Sequence, residues 1–299
     1  MAEIDTIVDR QSFRSIPAPI PANPGSIAIE NIANALRQVD DQGNASPLGT
    51  TLTLPPAWAT VMPLGDSEGE GLGDVYPNPT VADATMNAAG ITLVTGSVEA
   101  GAWRRHVLDI LGAQGISIPQ PWFVGARGTS ADKNIPGGQI SHQCTSGQTA
   151  ANMATNFASY WAAHPASGIW LCAGTNDIRV VQTGGGTDAQ AAAAAQTAYI
   201  ALLAAIKASA PNAIVMCSTI PAGSTVKAAA DLFKPLMLAA VASAAASGQK
   251  VYVGPDATAQ IRDGTGLISS ADNIHPNGIG YHRWAGLWVA GAKMCPFSP

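Results

Sequence analysis

Four places in this chain carry residues that could do chemistry, and each lies just beyond an apolar run. Ser67 follows Leu64-Gly65-Asp66. A serine hydroxyl is a weak nucleophile until a neighbouring base takes its proton. His275 could be that base, because an imidazole with a pKa near ~6.5 accepts a proton at neutral pH. It stands three residues after Asp272 in the loop Ser270–Gly278, so both side chains could face one site. Gly147 lies in Cys144-Thr-Ser-Gly-Gln-Thr149, which opens a helical stretch. A glycine there lets a backbone N–H approach a ligand, and helix starts favour negative charge. Asn176, in Ala173-Gly-Thr-Asn-Asp177, could aim its amide into the same cleft. Taken singly, each has an ordinary account: a Gly-Asp-Ser turn, a helix cap by Thr145 or Ser146, an Asx turn, a structural histidine. Taken together, they fall just after successive apolar runs, in one chain order.

The elements that must position them follow from the hydrophobic pattern. From about residue 56, short apolar runs (57–64, 121–126, 168–173, 213–218 and 250–254) alternate with Ala-rich stretches (97–115, 148–164, 187–210, 226–247 and 277–294). Five strand-like runs alternating with five helix-like stretches predict βα units on a parallel sheet. The runs are continuously apolar rather than alternating, as in strands covered on both faces. The active sites of such open sheets lie outside the carboxyl ends of the strands, where all four places fall. Pro276 suits the first turn of the last helix. The chain from 72 to 96 has little periodicity and reads as a long loop at that same edge.

Composition narrows the classes. Only 12% of residues are charged, about half the usual share, and the net charge is −5. With 47% hydrophobic residues the chain is not of a disordered type. Fifteen basic residues form no basic run, which argues against nucleic acid. The most apolar stretch, 228–246, is interrupted by Asp231, Lys234 and Pro235, so no membrane span is expected. The first ten residues alternate charged and apolar types and do not read as a secretory leader. The five histidines have no ligand-type spacing, so no metal is expected. The four cysteines have none either, and Cys172 and Cys217 read as buried thiols. Trp103, Trp122, Trp161, Trp170, Trp284 and Trp288 read as packing residues rather than a sugar platform, and His282 as pointing away from the cleft.

Residues 1–55 differ from the rest. Ile16–Pro24 is proline-rich and extended in character. A short helix is expected over 26–38, with Ile27, Ile29, Ile32 and Leu36 as its apolar positions, and 40–47 reads as a loop. The division expected is an arm or anchoring segment over 1–55 and one domain over 56–299, with an insertion at about 72–96.

The four blocks Gly65-Asp66-Ser67, Gly147, Gly174-Thr175-Asn176-Asp177 and Asp272-Asn273-Ile274-His275 resemble those of the SGNH hydrolase superfamily, the GDSL-like esterases. Gly101-Ala-Trp-Arg104 with Leu108 and Leu111 is similar to the helix after its first block. Phe123-Val-Gly125 and Ser146-Gly147-Gln-Thr149 are similar to its carbohydrate-esterase branch. The resemblance covers about residues 57–294. It implies a three-layer α/β/α fold with a five-stranded parallel sheet, of flavodoxin-like type. It implies a serine esterase with Ser67 as nucleophile, His275 as base and Asp272 as its orienting partner, acting without cofactor or metal. The oxyanion hole would comprise the Ser67 and Gly147 N–H groups and the Asn176 side chain. The implied substrate is an acyl ester, with O-acetylated saccharide first among the choices. Glu68, His142 and Asp177 are candidate substrate contacts. Each also has a plain reading: a solvated loop carboxylate, a surface histidine and a support for the Asn176 turn. Glu68 departs from the apolar residue usual after the nucleophile. The alternative is a structural or binding subunit of a larger assembly, such as a phage virion, docked or self-associated through residues 1–55. The expected location is accordingly cytoplasmic or virion-associated.

Overall fold

The computed structural model describes residues 58–71, 102–119, 121–127, 141–269 and 272–297, and the backbone of three short strands between 28 and 47. The chain divides into two compact units. In the first, β1 (Ala28–Ile32), β2 (Ala35–Val39) and β3 (Ala45–Pro47) form an antiparallel sheet in that order. The register runs from Ala28 opposite Val39 to Ile32 opposite Ala35, and from Arg37 opposite Pro47 to Val39 opposite Ala45. This corrects the helix expected over 26–38. Ile29, Ile32 and Val39 are β-branched, and such side chains fit a pleated surface better than a helix. The expected insertion at 72–96 lies outside the described residues.

The second unit is the predicted α/β body, with five parallel strands. β4 (Val61–Gly65) is flanked by β5 (Gln143–Cys144) and β6 (Gly168–Cys172); β7 (Ile214–Cys217) and β8 (Val251–Val253) follow outward from β6. The order β5-β4-β6-β7-β8 puts the earliest strand inside the sheet and reverses direction there. In this class of fold, such a switch point opens a crevice. The register aligns Gly65 with both Cys144 and Cys172, and Leu171 with Cys217, so the strand ends share one edge. One expectation shifts. The run 121–126 makes only a single parallel bridge, between Phe123 and Val61, and the fifth strand is Gln143–Cys144. The run leaves the sheet at Gly125, where the His142 backbone passes so close that a Cβ would stand 2.2 Å from its carbonyl carbon.

Helices cover both faces. On one side lie α2 (Ala102–Ala113) and α8 (Gly278–Lys293). Trp103 stacks on Trp170 of β6 at 5.7 Å between centroids, and Trp288 stacks on it at 5.2 Å and 2°. On the other side, α3 (Ala150–Ala163), α4 (Thr175–Thr183), α5 (Asp188–Ser209) and α6 (Lys227–Ala246) pack on one another. Two short helices complete the unit, α1 (Ser67–Glu70) and α7 (Ala257–Gln260). The Ala-rich α5 starts at a capping box of Thr187 and Gln190, which satisfies two of the N–H groups a helix start leaves free. α8 is capped by Asn277, so Pro276 stands one residue before the cap rather than inside the first turn. α5 and α6 are long and apolar enough to cross a membrane by length and composition. Here Tyr199, Leu202 and Ile206 of the one, and Phe233, Met237 and Val241 of the other, are buried in the body. Of the six tryptophans expected to pack, five are buried and Trp161 is half-buried against Phe157. All four cysteines are free thiols; Cys144, Cys172 and Cys217 are buried.

Candidate active site

The edge formed by Gly65, Cys144 and Cys172 carries three of the four sequence blocks. β4 ends at Gly65, and Asp66 caps α1 by accepting the Glu68 N–H at 3.1 Å. A turn this tight lifts Ser67 out of the strand line. β5 ends at Cys144 and runs into a turn in which Thr145 N–H donates to the Gly65 carbonyl and Gln148 N–H to the Thr145 carbonyl. Gly147 sits in that turn at φ 74°, with open space where a Cβ would be. The backbone conformation, not crowding, makes glycine the favoured residue there. β6 ends at Cys172, and α4 begins at Thr175, placing Asn176 in its first turn. The Asn176 amide donates to the Gln148 carbonyl at 3.1 Å, joining the second and third blocks.

The fourth block reaches the same point from the loop before α8. His275 Nε2 is 2.7 Å from Ser67 Oγ, and its Nδ1 is 2.5 Å from Asp272 Oδ2. Asp272 Oδ1 accepts the N–H groups of Ile274 and His275 at 2.9 and 3.1 Å. Burial alone would raise the Asp272 pKa. The hydrogen bonds from the His275 ring and these two N–H groups outweigh it and hold the carboxyl below its ordinary value. Asn273, between them, takes φ 58°, a left-handed conformation that asparagine tolerates better than most residues. Ser67, Asn176 and His275 are all buried but not sealed, at 5, 7 and 8% exposure. A hydroxyl, an imidazole and a carboxylate in one hydrogen-bonded chain can move a proton off the hydroxyl and hold the resulting imidazolium.

The three candidate substrate contacts lie elsewhere than expected. Glu68 is fully buried, and its Oε1 accepts the Thr175 hydroxyl at 3.0 Å. Burial, followed by the neighbouring Asp66 charge, pushes its pKa well above the carboxylate range. It is neither a solvated carboxylate nor a group at the mouth. His142 is buried too, and its Nδ1 accepts the Cys144 N–H at 3.1 Å. Burial, with the charges of Arg104 and Arg127, lowers its pKa to about 2, so it is a neutral strut behind β5. Asp177 is buried, and its Oδ2 accepts the Ala150 N–H at 2.8 Å, capping α3 rather than facing outward. Burial raises its carboxyl as well. His282 packs edge-on against His106 at 5.2 Å.

Sequence reasoning misses the second layer beneath these groups. Asp66 is fully buried, and its Oδ2 has no hydrogen-bond partner among the described residues. Burial, partly opposed by the Glu68 N–H and reinforced by Asp177, raises its pKa to about 7. Arg104 is buried and donates to the Gly69 carbonyl. Glu70 Oε2 accepts the Ser146 N–H at 2.5 Å, and its Oε1 pairs with Arg127 at 3.3 Å. The available signal is the density of acidic residues in Asp66-Ser-Glu-Gly-Glu70, too close together for all to be solvated on one short turn. Among the described residues no cluster of His, Cys, Asp and Glu is arranged to hold a metal ion.

The model of the GDSL-like lipase/acylhydrolase family matches residues 64–283, from the end of β4 into α8. Among curated proteins there is no match. Solved structures with the same fold include a Clostridium thermocellum family 3 carbohydrate esterase (TM-score 0.58, 24% identity, covering 80% of this chain and 94% of the other). They also include a mutant acetyl esterase with acetate ion (0.55, 21%, 76% and 93%) and a family 3 carbohydrate esterase from Talaromyces cellulolyticus (0.52, 22%, 79% and 95%).

Proposed function

The chain belongs to the GDSL-like lipase/acylhydrolase family, and from that premise we propose that it is a serine esterase that removes acetyl groups from a carbohydrate. The observation that carries the reading is the bonded series Ser67–His275–Asp272, at 2.7 and 2.5 Å. His275 Nε2 accepts the Ser67 proton as Oγ attacks the ester carbonyl carbon. The oxyanion that forms accepts hydrogen bonds from the Ser67 and Gly147 N–H groups and the Asn176 amide. The intermediate collapses to an acyl-enzyme, and His275 returns the proton to the leaving alcohol. Water, deprotonated by the same ring, then releases the acid. Asp272 holds Nδ1–H and stabilises the imidazolium in both halves. The acetyl and carbohydrate parts draw support from the names of the structural relatives, two carbohydrate esterases and an acetyl esterase with acetate ion.

The test is hydrolysis of p-nitrophenyl acetate and of acetylated oligosaccharides by the wild type and by Ser67→Ala, with fluorophosphonate labelling mapped by mass spectrometry. Label on Ser67, and turnover lost in Ser67→Ala, is the expected result. Label elsewhere, or equal turnover by both proteins, overturns the serine mechanism. Activity on p-nitrophenyl acetate with none on any acetylated saccharide overturns the substrate class alone.

A further inference from the structure

Both glutamates beside the nucleophile are committed to partners on other strands' loops, and the partners share a position. Glu68 Oε1 accepts from Thr175 Oγ1, and Thr175 directly precedes Asn176. Glu70 Oε2 accepts from Ser146 N–H, and Ser146 directly precedes Gly147. We infer that Glu68 and Glu70 are positioning residues that brace the oxyanion hole, each tying the Ser67 turn to the residue before one of its other two donors. The inference deepens the esterase proposal and rests on its assignment of Gly147 and Asn176 as donors.

The two braces use different chemistry. Glu68 is sealed in with Asp66, Cys172 and Thr175, and Asp272 contributes to the field at its carboxyl. An uncharged acid suits that site, and a neutral carboxyl still accepts a hydroxyl proton at Oε1. A glutamine amide presents the same acceptor in the same shape. Glu70 sits nearer the surface, and its charge is balanced by Arg127. Arg127 is in turn fixed by backbone bonds in both directions with His142, two residues before Cys144. With both oxygens of each glutamate already engaged, Glu68 Oε2 by the Cys172 thiol at 3.9 Å, neither residue needs a substrate to account for it. The arrangement spans the three strand ends that converge on Ser67. It holds three donors from separate loops in one geometry before the ester arrives. Such preorganisation stabilises the transition state more than the bound ester.

The test uses the full chain and p-nitrophenyl acetate. Thr175→Val removes the hydroxyl and keeps the shape; kcat is expected to fall about 10- to 100-fold with KM little changed. Thr175→Ser and Glu68→Gln are expected to restore kcat to within about threefold of the wild type, and Glu68→Leu to match Thr175→Val. The deciding readout is coupling. In an Asn176→Ala background, Thr175→Val should cost nothing further, because the donor it positions is gone. Glu70→Ala should still lower kcat there, because it acts through Gly147. A Thr175→Val loss of equal size in both backgrounds, or wild-type kcat in Thr175→Val and Glu68→Leu, overturns the inference while Ser67→Ala stays inactive. Full turnover by Ser67→Ala overturns the esterase reading and this inference with it. If Thr175→Val does not fold, Glu68→Leu in both backgrounds gives the same decision.

Discussion

The nucleophile's turn and the histidine's loop meet across 2.7 Å, yet they are held by opposite means. The turn Asp66–Gly71 is pinned by long-range bonds. Arg104 reaches the Gly69 carbonyl, Glu68 reaches Thr175 and Glu70 reaches Ser146, from segments 35 to 107 residues away in sequence. The loop 272–276 is held mostly by backbone bonds within residues 269–276, with one long outside bond from the Ser224 hydroxyl to the Asn273 carbonyl at 3.4 Å. Ser269 N–H donates to the His275 carbonyl and Asn273 N–H to the Ser269 carbonyl, at 2.8 and 2.9 Å. Asp272 accepts from the two residues that follow Asn273's turn into the histidine, Ile274 and His275. The difference teaches where damage should spread. A change under the Ser67 turn reaches other strands' loops, whereas a change in the His275 loop stays local.

Substitutions at the meeting point set the outer limit of that contrast. Ser67→Ala or His275→Ala should lower kcat by about 10⁴-fold or more, because either removes the proton-transfer pair. Steady-state hydrolysis of p-nitrophenyl acetate measures this, and residual activity within about tenfold of the wild type would break the comparison at its centre. Asp272→Asn should fall at the lower end of that range, about 10⁴-fold in kcat, because the ring can present the wrong tautomer to Ser67 while the backbone bonds of the loop remain. Its thermal midpoint at pH 7 should fall below that of the wild type, because the stabilisation that the ionised Asp272 carboxylate supplies above its folded pKa is lost.

Titration separates the two regions by sign. Asp66 and Glu68 have folded pKa values raised above their unfolded values of 3.8 and 4.5, Asp66 to about 7. The folded state therefore holds protons that the unfolded state has lost. The Asp66 contribution to stability is fully present below about pH 4 and is lost as pH rises through about 7, and the Glu68 contribution is likewise lost as pH rises through its own raised value. Asp272 is depressed below 3.8, so its contribution is present above that value and is lost as pH falls through its folded pKa. Thermal midpoints across pH 3 to 8 should show Glu68→Gln gaining over the wild type toward pH 8, and Asp272→Asn flattening only the acid limb. The same limb flattened by both variants would erase the distinction. The smallest effect is expected at Asn273. Its left-handed backbone makes Asn273→Ala costly by about 1 kcal/mol, with kcat changed less than in any variant of the Ser67 turn. Denaturant unfolding reads the first quantity and hydrolysis the second.

The local half of this architecture is legible in the sequence, and the long-range half is not. Asp272 and His275 are three residues apart, and the strand before Ser67 is a plain apolar run, so local order sets both at strand-to-helix junctions and the resemblance to GDSL-like blocks supplies their expected roles. Ala-rich periodicity gives the helices that begin at 150, 188, 227 and 278 to within a few residues of their observed ends. α4 does not stand out from its surroundings, because Thr175–Thr183 mixes polar and apolar residues without a strong stripe. A charge beside the nucleophile looks solvated, and only tertiary packing buries Glu68 against a threonine 107 residues away. Glu70, Ser146 and Arg127 share no local pattern at all. At 28–39 a loose helical spacing hides the hairpin that the β-branched residues form.

The cysteines at the strand ends give the body an internal gauge of its own opening. Cys144, Cys172 and Cys217 close three strands of the sheet, and all are buried with pKa values pushed up, Cys144 and Cys217 to about 12. A thiol in that state is almost wholly protonated and out of reach, so an alkylating reagent has nothing to attack while the edge is shut. Each adduct then records one excursion in which a strand end came free. Mass spectrometry of slowly alkylated native protein would therefore rank the three strand ends by how often each one exposes its thiol, without denaturant and without a substrate.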